Sequence, residues 1–140
     1  MSFCQQHQCA HCCVEGEVPL LNEDIDRITS MGYFDVYFAV NHQGAKVMRK
    51  LDGKCIFFQQ GVCEIYDRRP KRCRCFPLTY NSEKDCAEIE ESCRYKELYQ
   101  ISESSNEDMV NYIHTLQMEY DQRNHIHSNG NGSARNFHKY

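Results

Sequence analysis

Gly53-Lys54-Cys55-Ile56-Phe57-Phe58, then Gly61-Val62-Cys63-Glu64-Ile65-Tyr66-Asp67-Arg68-Arg69-Pro70-Lys71-Arg72-Cys73-Arg74-Cys75-Phe76-Pro77, is the stretch that organises this chain. Residues 47–51 and 55–58 flank Asp52-Gly53, a strong hairpin signal because a type I′ turn needs positive φ at both central residues. Gln59-Gln60-Gly61 then turns the chain into a third short strand over residues 62–66. Cys55 and Cys63 are thereby expected on neighbouring strands, where one sheet delivers two thiols to one region. Pro70 presets φ for a short helical turn over about residues 69–75, and Pro77 stops it. A weaker hairpin is expected around Asn81-Ser82, ending near Cys86 or Ile89.

Helices flank this centre. Asn22 is a good N-cap, Glu23 and Asp24 suit a first turn, and Ile25, Ile28 and Met31 share a face before Gly32 ends the element. The apolar run over residues 33–40 has no clear period, so strand and buried helical turn both stay open. Towards the C-terminus, Ser104 and Glu107 form a capping box, and Met109, Ile113, Leu116 and Tyr120 make one helical stripe over about residues 105–124. Ser128-Asn129-Gly130-Asn131-Gly132-Ser133 has almost nothing to bury, which predicts a domain over residues 1–127 and a disordered tail over 128–140. No internal repeat is read. The fold class expected is α+β: a small single domain organised around a cysteine-ligated metal site, with a short β-hairpin sheet between N-terminal and C-terminal helices.

Ten of the 140 residues are cysteine, and the compartment decides what they do. No apolar run is long enough to cross a membrane, and Met1-Ser2-Phe3-Cys4-Gln5 lacks the basic and apolar regions of a secretion signal, so a soluble, cytoplasmic protein is expected. Thiols stay reduced there, and clustered cysteines bind metal or do redox chemistry more often than they form disulfides. The adjacent Cys12-Cys13 and the near-adjacent Cys73 and Cys75 are also poorly placed for relaxed disulfides within each pair. Thiolates suit Zn²⁺, Cu(I) or an iron–sulfur cluster. Cys4, Cys9, Cys12 and Cys13 lie in one loop, a preorganised half-site or more because short loops close at little entropic cost. The first three share the spacing of plant-type ferredoxins, although the surrounding residues do not. His7 and His11 lie inside the same loop.

The central string resembles the YkgJ-type cysteine-cluster family, through the pattern Cys55-x-Phe57, Cys63-x-Ile65-Tyr66, Arg69-Pro70, Cys73-Arg74 and Phe76-Pro77. Cys4, Cys9, Cys12 and Cys13 are similar to that family's N-terminal signature, and the segment beginning at Asn22 to the one that follows it. Cys93 is similar to its late cysteine, with Arg94-Tyr95 in place of the usual Pro-Gly. The resemblance implies a zinc- or iron-chelating domain with Cys4, Cys9, Cys12, Cys13, Cys55, Cys63, Cys73 and Cys93 as metal ligands, and it implies no reaction. So many ligands mean either two centres or one cluster with spare thiols. Cys75 and Cys86 fall outside the pattern and are expected to be thiols without metal.

Arg68, Arg69, Lys71, Arg72 and Arg74 concentrate positive charge on the Arg-Pro turn. Compensation of a negatively charged thiolate site explains them better than a phosphate or RNA patch, and a net charge of −4 gives no general attraction to nucleic acid. Tyr66 and Phe76 are expected to pack beside the site, and His125 and His127 to sit at a solvated helix end. No phosphate loop, nucleophile elbow or zincin motif is present, so no catalytic residue is assigned. The favoured function is a metal-binding protein carrying zinc or an iron–sulfur cluster. The alternative is an iron–sulfur enzyme or electron-transfer partner acting on a peptide or protein. A protein or peptide partner fits both readings; a membrane fits neither.

Overall fold

The computed structural model describes residues 16–91, 93, 96–124 and 137. Helix α1 (Asn22–Thr29) starts one residue earlier than expected: Asn22 is helical, and the cap is Leu21, in extended backbone. The Asp24 carboxylate ties the start of the helix from within, its Oδ2 accepting from the N–H of the cap residue Leu21 at 2.9 Å. Asn22 is used elsewhere, its N–H on Glu119 Oε1 (2.8 Å) and its Oδ1 accepting from Arg123 Nη2 (2.6 Å). Gly32 follows the helix with φ of 103°, and Met31, outside the helix, is exposed rather than on its buried face.

The run over residues 33–40 resolves into both candidates, a single turn α2 (Asp35–Phe38) leading into strand β1 (Ala39–His42). Strand β1 pairs antiparallel with β2 (Ala45–Met48) across Gln43-Gly44, at φ of 54° and 83°. Glycine is required at 44 for a second reason: a Cβ there would stand 2.8 Å from Asn124 Oδ1 and 3.2 Å from the Tyr120 ring. The far edge of β2 is also covered, by Leu20 N–H on Lys46 O and Met48 N–H on Val18 O, each 2.9 Å. The strand expected over 47–51 therefore breaks at Arg49, because β2 belongs to this earlier hairpin.

Two further hairpins follow, β3 (Lys50–Leu51) with β4 (Lys54–Cys55), and β5 (Phe58–Gln59) with β6 (Val62–Cys63). They are copies of each other displaced by eight residues. Asp52-Gly53 turns at φ of 52° and 78°, Gln60-Gly61 at 51° and 81°. The Ile56 N–H closes on Arg49 O at 3.0 Å and the Glu64 N–H on Phe57 O at 2.8 Å, and Phe57 and Ile65 are both buried. Two expectations are corrected here. An internal repeat exists, hidden because only the Gly and Cys positions are identical between the copies. Cys55 and Cys63 are not on neighbouring strands of one sheet; they occupy the same place in two separate two-stranded sheets.

A 3₁₀ turn (Tyr66–Arg68) leads through Pro70 into helix α3 (Lys71–Cys75), which ends before Pro77 as expected. The later hairpin is also present, β7 (Leu78–Asn81) with β8 (Cys86–Ile89), its turn held by Asn81 Oδ1 accepting from the N–H groups of Glu83 (2.9 Å) and Lys84 (3.0 Å). Helix α4 (Glu103–Arg123) carries the expected stripe inward, with Tyr112 added to it. Its cap is Ser102 rather than Ser104: Ser102 is extended and its Oγ accepts from the Ser105 N–H at 3.0 Å. Among the described residues the architecture is thus α+β, helices with short antiparallel hairpins.

Among the described residues the buried apolar side chains form two clusters. One lies under α4 and the β7–β8 hairpin; the other joins α1, α2 and the twin hairpins. Strand alternation divides them, since Leu21 and Val47 enter the first and their neighbours Leu20 and Met48 the second. Phe137, within the stretch expected to be disordered, is buried in the first cluster against Tyr120; residues 128–136 and 138–140 lie outside the described residues.

Asp24 is fully buried. Besides Leu21 it accepts from Arg27 Nη2 at 2.7 Å and from the Lys71 N–H at 3.0 Å, so one carboxylate caps both α1 and α3. Asp24→Ala leaves the guanidinium and two backbone donors without their acceptor and should lower unfolding free energy by about 3 kcal/mol, measured by urea denaturation. A second prediction concerns Tyr80, whose phenol is pushed up to about 12 by burial and by donation to the Asp85 carboxylate. The folded state holds this proton more tightly than the unfolded chain. The contribution is therefore full below about pH 10 and lost as pH rises from about 10 to about 12. Urea midpoints across that window should fall less steeply in Tyr80→Phe than in the parent chain.

Candidate metal centre

The second cluster carries the thiols. Cys55, at the end of β4, is buried within it, while Cys63 from β6 and Cys73 from α3 are half-buried and pack against it. The twin hairpins explain the first two: the same Gly-x-Cys turn geometry, used twice, sets each cysteine just ahead of an apolar anchor, Phe57 or Ile65. The third depends on Asp24, which fixes where α3 begins, and on Arg27, whose side chain also donates to Arg68 O (3.4 Å) and Arg69 O (3.1 Å).

Cys75 follows Cys73 by two residues in the same helix, which turns it roughly 200° away. It packs against the first cluster instead. Burial pushes its thiol up, against a smaller downward pull from Lys71 and Arg72. Cys86 starts β8 opposite Asn81. Cys93 is buried after β8, its N–H on Glu90 O (3.1 Å) and its carbonyl accepting from the Lys96 N–H (3.2 Å). Cys4, Cys9, Cys12 and Cys13, with His7 and His11, lie outside the described residues, as do His125 and His127. Among the described residues no group of His, Cys, Asp and Glu side chains is assembled to hold an ion. The described fold thus gathers Cys55, Cys63 and Cys73 about one apolar cluster, and places Cys75 away from it.

The cations of the Arg-Pro turn have separate duties. Arg69 lies over the Tyr66 ring (4.0 Å to its centroid) and donates to Tyr66 O at 2.9 Å, a stacked arrangement that favours a guanidinium over an ammonium. The Lys71 N–H is taken by Asp24. Arg72 reaches the Phe76 ring and Leu78 O, yet its buried Nε has no hydrogen-bond partner among the described residues. Arg68 and Arg74 are exposed. Soft thiol donors on one apolar cluster fit a thiophilic metal. Asp24 and Arg27 were missed from sequence. Their available signal was a carboxylate at the third helical position with arginine three residues on, a pattern common enough to pass as local.

No described helix is long and apolar enough to cross a membrane. Comparison with curated proteins and with solved structures returned no match. The model of the CxxCxxCC family, whose description is "Putative zinc- or iron-chelating domain", matches residues 3–94. That span is more than half of the chain and contains all ten cysteines, so the chain belongs to the CxxCxxCC family.

Proposed function

We propose that this chain is a metal-binding domain that holds zinc or an iron–sulfur cluster on cysteine thiolates, in a reducing compartment such as the cytoplasm. The observation that supports this is the convergence of Cys55, Cys63 and Cys73, from three different elements, on one apolar cluster, while Cys75 is turned to the other. Cys4, Cys9, Cys12 and Cys13 are the thiolates proposed to complete the coordination, with Cys93 as a further ligand. The metal would act as a cross-link between chain segments whose own packing is small, since each twin-hairpin strand is two residues long. Structural zinc contributes on the order of 10 kcal/mol to such small domains. The chain's own residues supply an apolar floor beneath these thiols, with Phe57 and Ile65 buried in it.

Anaerobic purification followed by metal and sulfide analysis tests the proposal. Stoichiometric zinc without sulfide identifies a zinc site; brown colour with acid-labile sulfide identifies an iron–sulfur cluster. Either metal should fall to a minor fraction in Cys55→Ser, Cys63→Ser and Cys73→Ser and stay near the parent level in Cys75→Ser and Cys86→Ser. A folded Cys55→Ser/Cys63→Ser/Cys73→Ser chain with the parent's metal content would overturn the assignment. Chelation should also lower the thermal midpoint of the parent chain.

A further inference from the structure

Helix α2 is a single turn anchored to the second cluster by its last residue. Phe38 is fully buried, its ring 5.9 Å from that of Phe57 between centroids. The Tyr33 and Tyr37 rings stand edge-on to Phe57 as well, at 4.9 Å and 6.0 Å. The remaining apolar side chains meet solvent: Phe34 is 79% exposed and Val36 72%, with Tyr37 at 44%. Nothing in the packing of the turn calls for an apolar residue at 34 or 36. Together the three side chains present about 350 Å² of surface, the size of patch that marks an interaction site on a small protein.

This patch is held in place and carries one charge at each end. At the start of the turn, Asp35 Oδ1 accepts from the Val36 N–H at 2.8 Å. At its end, Arg49 donates from Nε to Tyr37 O (3.1 Å) and from Nη2 to Val36 O (3.0 Å). Asp35 and Arg49 are both exposed, and neither has an ion-pair partner among the described residues. An acid, an apolar centre and a guanidinium therefore follow one another along the turn. A two-fold axis through that centre sets Asp35 of each copy against the partner's Arg49 and lays apolar surface on apolar surface, the self-complementarity an isologous contact requires. A parallel arrangement would put like charges together.

We propose that α2 is the seat of a second copy of this chain, in a two-fold dimer with Phe34 and Val36 at its centre and an Asp35–Arg49 pair at either end. The patch is smaller than the roughly 800 Å² per partner of a standard stable interface, so the dimer is weak and reversible. Its end pairs are exposed, so added salt loosens it. No thiol takes part, and the dimer and the metal site stand or fall separately.

Sedimentation equilibrium of the full chain, as purified anaerobically and kept under a thiol reductant, should show a reversible monomer–dimer equilibrium at micromolar to millimolar concentration. Val36→Asp should raise the dissociation constant at least about tenfold with helical circular dichroism unchanged. Asp35→Arg and Arg49→Glu should each stay monomeric alone and associate when mixed, because each variant supplies the charge the other lacks. Should Arg49→Glu lose its circular dichroism, Val36→Asp mixed with Val36→Arg decides, since position 36 meets itself across the axis and the mixture should associate where neither variant does alone. A parent chain that is monomeric at millimolar concentration, a dimer that Val36→Asp leaves intact, or folded charge variants that stay apart on mixing would overturn the proposal. So would a monomeric parent chain that binds phosphatidylglycerol vesicles and loses them in Val36→Asp, which assigns the patch to a lipid surface.

Discussion

A single buried carboxylate holds this fold to one arrangement. Asp24 is surrounded by donors from three places in the chain, the Leu21 and Lys71 backbones and the Arg27 guanidinium. A carboxylate removed from water costs several kcal/mol unless its lone pairs are used, so the geometry that satisfies all three donors is favoured over any that drops one. Arg27 carries the constraint onward to the carbonyls of Arg68 and Arg69, just before Pro70. The direction of α3 follows, and with it the opposite orientations of Cys73 and Cys75. An interaction with no thiol in it thereby decides which thiol faces which cluster.

The division into two clusters has a similar economy. Adjacent residues, Leu20 with Leu21 and Val47 with Met48, serve different sides because extended backbone alternates its side chains. The first cluster has a long helix to lean on. The second rests on one-turn α2, the short α1 and hairpins of minimal length, and small scaffolds of this kind depend on staples beyond their apolar contacts. Among the described residues, Cys55, Cys63 and Cys73 pack on that side.

Legibility from sequence follows how local each interaction is. Asp52-Gly53 was readable because both turn residues favour positive φ, whereas Gln43-Gly44 makes the same kind of turn with a residue that carries no such preference. The stripe of α4 was readable from its period. Its cap was displaced because Ser102 with Ser105 and Ser104 with Glu107 both suit a helix start, and only backbone conformation separates them. The setting of Cys75 apart from Cys73 was visible in the family pattern and has a helical reason. Asp24 was not legible, since its decisive partner, Lys71, lies far along the chain. Phe137 was not legible either: the sequence before it is glycine, serine and asparagine, and a lone aromatic in such company carries no period.

The twin hairpins have a consequence in time as well as in space. Each closes over a handful of neighbouring residues, on the 1–10 μs scale of isolated hairpins, while the contacts that join α1 to α3 must wait for distant chain segments to meet. Cys55 and Cys63 can therefore be presented by locally formed arms before the body of the protein is assembled.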